Sequence, residues 1–130
     1  MAMNIKAIVE ATRTVADGTD VVFVNNETRE QTRNLSYSPH PFRNNHSMLA
    51  FDKAPALGNI TAADLRERLT DELGENHEWA GNMGQGPVYT VTEETEIAIT
   101  EDYRDGKGRV VAYFANEAEN ELLFFIADAD

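Results

Sequence analysis

At 130 residues the chain is long enough to bury a core without metals or cross-links, and one domain spanning 1–130 is the expectation. It contains no cysteine, which excludes disulfides, thiolate zinc sites and cysteine nucleophiles. A net charge of −12 repels phosphates and anionic lipid surfaces, so direct nucleic-acid binding and membrane association are not expected.

The charge is unevenly placed. Residues 1–60 carry six acidic and six basic side chains, whereas 61–130 carry seventeen acidic and five basic, so the whole excess lies in the second half. The opening "MAMNIKAIVEATRTV" lacks the basic flank and long apolar run of a signal peptide, and no apolar run reaches the roughly 18 residues of a membrane span. A cytoplasmic protein is the expectation. The compact, acidic, cysteine-free composition is also that of a small phage or mobile-element protein, and low lysine with high acidity fits adaptation to a salty cytoplasm equally well.

In chain order, "IKAIVEATRTV" reads either as a short helix through Ile5, Ile8, Val9 and Val15 or as a strand, because its β-branched residues also allow one. "DVVFVNN" is a strand bounded by turn formers. "ETREQTRN" reads as a polar strand or helical turn; Arg29 and Arg33, four apart, would share a face if it is helical. "SYSPHPFRNNHS" reads as loop, broken by Pro39 and Pro41, and "SMLAFD" as a short buried strand.

The clearest helix lies in "APALGNITAADLRERLTDELGEN". Thr61 is placed to cap it with Asp64 three residues on, Leu65, Leu69 and Leu73 recur every four residues, and Gly74 is placed to end it. After it, "PVYTVT", "TEIAIT", "RVVAYF" and "ELLFFIA" read as four strands. Short connections between them predict antiparallel neighbours. The last is apolar on both faces, which predicts a central or covered strand. The fold class expected is therefore α+β: an antiparallel sheet, a meander of four C-terminal strands plus one or two N-terminal strands, packed by one main amphipathic helix.

Motifs for cofactors and metals are absent. The glycines of "GNMGQGP" precede a strand rather than a helix, "DGKGR" lacks phosphate-loop spacing, and "HEW" returns no second histidine one turn later. No cofactor and no metal site is expected. Four N-x-S/T triplets, at Asn26, Asn34, Asn45 and Asn59, read as polar loop composition.

Three stretches carry candidate sites. Arg43, Asn44 and His46 put several donors on one long loop, suited to an anionic or amide-rich ligand. His40 and His46 with His77 could form a metal site or a general base, but match no known ligand spacing. Trp79, the single tryptophan, is either a core residue or an aromatic anchor. Arg104 and Arg109 flank a basic turn in an acidic half, either offsetting local repulsion or binding phosphate.

These features support three readings. The first is a non-enzymatic interaction protein or inhibitor whose acidic half, through Glu93, Glu94, Glu117 and Glu119, engages a basic nucleic-acid-handling or defence protein. The second is a homo-oligomeric binder of a small anionic, nucleotide-like ligand held by Arg43, Arg104 and Arg109 with Trp79 stacked on it. The third, a small enzyme using histidine and carboxylates, names no reaction.

Overall fold

The structure is a computed structural model that describes residues 2–37, 39–42, 45–78, 88–99 and 108–128. The first ambiguous segment is a helix, α1 (Ile5–Thr12). Asn4 is extended, and its side-chain oxygen accepts from the Ala7 amide at 2.8 Å, which satisfies one of the donors a helix start leaves open. Ile5, Ile8 and Ala11 then fall on one buried face.

Strand β1 (Asp20–Asn25) follows, and Asn25 ends it by accepting from the Glu27 and Thr28 amides with its side chain, both at 2.9 Å. The turn leaves Arg29 at φ 67°, so Arg29 and Arg33 share no helical face. Strand β2 (Gln31–Thr32) is a short polar edge. Strands β3 (His40–Phe42) and β4 (Asn45–Phe51) pair antiparallel where the sequence suggested loop running into strand.

Helix α2 (Ala62–Glu72) begins as its sequence predicts. The Thr61 hydroxyl accepts from the Asp64 amide at 3.2 Å, and the Asp64 carboxylate accepts from the Thr61 amide at 3.4 Å. Its end differs in detail. Leu73 (φ −61°, ψ 126°) and Gly74 (φ 86°) form a type II turn closed by the Glu75 amide on the Glu72 carbonyl at 3.0 Å. The Gly74 amide donates to the Val91 carbonyl instead of back into the helix, at 2.9 Å. Leu73, expected on the apolar stripe, leaves the helix and is 36% exposed.

Strands β5 (Asn76–Glu78) and β6 (Val88–Thr90) form a separate two-stranded ladder. The main sheet is completed by β7 (Glu96–Ile99), β8 (Gly108–Asn116) and β9 (Glu121–Asp128), in the order β2-β1-β9-β8-β7-β4-β3. The expected antiparallel meander is corrected in two respects. The sheet is mixed, because β1 runs parallel to β9 and β4 parallel to β7. The segment read as the meander's first strand pairs with β5 and not with β7.

Both departures have physical causes. The link from β4 to β7 contains α2, and a connection of that length permits a parallel crossover that a tight turn forbids. Val91, buried at 1% exposure, turns inward and ties the β6 side to the end of α2. The β8–β9 hairpin is antiparallel as expected, and β9 is a central strand.

Alternation sorts the sheet's faces. Val21, Phe23, Leu49, Phe51, Ile97, Ile99, Val110, Leu122, Phe124 and Ile126 point toward Ile8 of α1 and Leu65 and Leu69 of α2, forming the main core. Phe23 and Phe124 stack at 5.7 Å across the parallel pair. Met48, Ala50 and Ala98 form a small cluster on the opposite face. No helix among the described residues is long and apolar enough to cross a membrane.

Candidate functional site: an acid-lined cleft beside helix α2

Burying Leu65 and Leu69 forces the opposite side of α2 into solvent, and that side carries Asp64, Glu67 and Asp71 at i, i+3 and i+7. The segment 34–37 runs alongside it, held by a bridge between Leu35 and Lys53 and by the Ser36 amide on the Asp52 carbonyl at 2.9 Å. Between them lies a cleft of about 340 Å³ lined by Tyr37, Leu57, Asp64, Glu67, Arg68 and Asp71, among others.

One side chain organises this cleft. Arg68 donates to the Leu35 carbonyl at 2.8 Å and to the Asn34 side-chain oxygen at 3.1 Å. Its guanidinium lies 4.2 Å from the centre of the Tyr37 ring. Asn34 is 3% exposed, and its side-chain oxygen also accepts from the Leu35 amide at 2.8 Å. Tyr37 and Leu57 remain 65% and 47% exposed, a large aromatic and a large aliphatic group standing in water beside three carboxylates. Chemically the cleft offers anionic oxygens to a cation and apolar surface to its hydrocarbon stem.

Those residues singled out in the sequence that the structure describes are dispersed. Arg109 lies within the sheet at 7% exposure, its Nε 3.5 Å from a Glu96 carboxylate oxygen. Glu93 and Glu94 occupy the turn before β7, where the Glu93 carbonyl accepts from the Lys6 amide at the start of α1. Glu117 and Glu119 sit on the one-turn 3₁₀ helix between β8 and β9, and Glu117 lines a cavity of about 280 Å³ with Arg13, just past the end of α1. The two glutamate pairs therefore sit near opposite ends of α1 and do not form one array. Arg43, Asn44, Trp79 and Arg104 lie outside the described residues, as do the side chains of His40, His46 and His77.

The cleft itself was not singled out from the sequence. The spacing of Asp64, Glu67 and Asp71 is visible in any helix of that register and was the available signal. Tyr37 and Leu57 join them only through tertiary structure. Among the described residues no group of three His, Asp or Glu side chains could hold a metal ion. The chain matches no family model, no curated protein and no solved structure.

Proposed function

We propose that this chain is a non-enzymatic binding protein that engages the basic surface of a partner protein. The observation that carries the reading is the α2 cleft, where Asp64, Glu67 and Asp71 stand beside the exposed Tyr37 and Leu57. Interfaces that hold arginine or lysine combine carboxylates with an aromatic or aliphatic wall in this way, the wall covering the stem and the carboxylates the head. Glu93, Glu94, Glu117 and Glu119 lie elsewhere on the surface and add to the field that steers a cationic partner. A nucleic-acid-handling or defence protein is the partner class suggested, since its phosphate-binding surface accepts an acidic competitor.

The alternative reading holds a small anionic ligand on Arg43, Arg104 and Arg109, and of these three the structure describes Arg109 alone. Arg33, Arg66, Arg68 and Arg109 each lie on oxygens of their own chain: Glu121, Asp17, the Leu35 carbonyl and Glu96.

The test is binding of a labelled lysine- and arginine-rich peptide by fluorescence anisotropy. Affinity is expected to fall steeply between 50 and 500 mM salt, on the order of tenfold or more. Replacing Asp64, Glu67 and Asp71 together by lysine is expected to weaken binding far more than an equal charge change at Glu27, Glu117 and Glu119. Equal losses from both triple variants would leave only a net-charge effect and remove the cleft from the proposal.

A further inference from the structure

On the sheet face opposite the main core, apolar side chains line up in rows from strand to strand. Val22 pairs with Leu123 and Leu123 with Phe114; Val24 pairs with Phe125 and Phe125 with Ala112. Val22 and Val24 are buried, and Leu123 and Phe125 are half-buried. The rows end at β8, where Ala112 is exposed and Phe114 is 57% exposed.

The backbone is open along the same line. On the side of β8 away from β9, among the described residues, pairing is confined to Ala98 opposite Arg109 and to the Met3 amide on the Val110 carbonyl at 2.7 Å. The Ile126 carbonyl accepts from the Asn26 amide on the β1 side, so Ile126 and Phe124 turn their amides and carbonyls toward β1. Phe124 lies opposite Tyr113, so Tyr113 turns its amide and carbonyl away from β9, as does Ala115. Proteins ordinarily blunt such an edge with lysine or proline, and the run "VVAYFAN" contains neither.

We infer that this edge, Val111 to Asn116, receives an extended segment of the basic partner, added antiparallel to β8 as a further strand. The sign of the partner's charge rests on the function proposed above; the place on the molecule does not.

Charge chooses the occupant. A second copy would bring another −12 to the edge and be repelled, whereas a basic segment is drawn to it. Charge also sets the direction. Glu117 and Glu119 are exposed and follow directly after Asn116, at one end of the edge. At the other end Met3 takes the Val110 carbonyl, and Arg109 faces Glu96. Antiparallel pairing, the more stable kind per residue, brings the N-terminal end of the added segment level with Glu117. Its lysines or arginines therefore come first and an uncharged stretch follows, ending where Met3 closes the edge. The residues opposite Tyr113 and Ala115 each exchange both backbone bonds, and those opposite Phe114 and Ala112 prolong the apolar rows.

The probe is a labelled peptide of two arginines followed by threonine-threonine-valine-threonine-valine, its valines set opposite Phe114 and Ala112, read by fluorescence anisotropy against the full chain. The reversed sequence, equal in composition and charge, is expected to bind roughly fivefold or more weakly. N-methylating the last two threonines, whose amides face β8, is expected to weaken binding roughly tenfold or more; N-methylating the two valines, whose amides point away, changes it by less than about threefold. Ala115→Pro leaves the ladder with β9 intact, because that amide faces outward, and is expected to weaken binding roughly tenfold with unchanged far-UV circular dichroism. If that variant fails to fold, the two methylated peptides decide the matter.

The cleft is separated by a triple variant, Asp64→Asn, Glu67→Gln and Asp71→Asn. It is expected to weaken the lysine- and arginine-rich peptide and to leave this one within about threefold. Equal binding of the reversed peptide, or of both methylated forms, would reduce the contact to charge alone and overturn the inference. Failure of this peptide alone would overturn it and leave the proposed function standing; failure of both peptides would remove the two together. A dimer in sedimentation that the peptide dissociates would assign the edge to a second copy, and that also overturns it.

Discussion

Replacing Arg68 by alanine tests whether one side chain holds segment 34–37 against α2. The variant loses a charge-assisted hydrogen bond to the Leu35 carbonyl at 2.8 Å, a bond type worth about 1.5–3 kcal/mol. It also loses the contact with the Tyr37 ring at 4.2 Å, worth about 0.5–1 kcal/mol at an exposed site. The longer bond to Asn34 adds less, because that oxygen keeps the Leu35 amide as a donor. The expected loss is about 2–3 kcal/mol. With a urea dependence of about 2 kcal/mol per molar, the unfolding midpoint falls by about 1 M or slightly more. Tyr37→Ala alone is expected to cost under about 1 kcal/mol, and a double-mutant cycle with Arg68→Ala isolates the ring term. A midpoint for Arg68→Ala within about 0.3 M of the parent would refute the claim that Arg68 fastens this segment.

Three further outcomes follow from the same kind of reasoning. Thr61→Ala removes the cap of α2 and is expected to cost about 1 kcal/mol, with Thr61→Ser restoring most of it, read by urea unfolding. Gly74→Ala meets no atom within 4 Å of the added carbon, so its cost is the left-handed backbone alone, about 1 kcal/mol or slightly more; Gly74→Asn should cost less. Phe124→Ala opens the centre of the core beside Phe23 and is expected to cost about 3–5 kcal/mol, so a variant that keeps the parent's thermal midpoint would contradict the packing described.

What could be read in the sequence was local. The start of α2 was legible because Thr61 and Asp64 form their hydrogen bonds with each other, and Leu65 and Leu69 mark the buried side without reference to any other element. The β8–β9 hairpin was legible for the same reason, its two strands being joined by one short turn. The parallel pairings were not, since nothing near Asp20 in the chain indicates that its neighbour is Glu121. The identity of α1 turned on Asn4, whose cap outweighs the strand preference of Ile5, Ile8 and Val9. The cleft escaped for a related reason. Its carboxylates lie on one helix, but Asn34, Tyr37 and Leu57 are brought to it from two other segments by backbone bonds to Asp52 and Ala54.

The parallel contact between β1 and β9 also governs how this chain reaches its fold. About 100 residues separate Asp20 from Glu121, so closing that contact forfeits much chain entropy before any core contact rewards it, and such topologies fold slowly. The β8–β9 hairpin closes cheaply across the Glu117–Glu119 turn and can offer β1 a preformed edge. Folding is then expected to run from the hairpin outward, with β1 docking late. Val111→Gly in the hairpin would slow refolding, whereas Val22→Ala in β1 would mainly quicken unfolding.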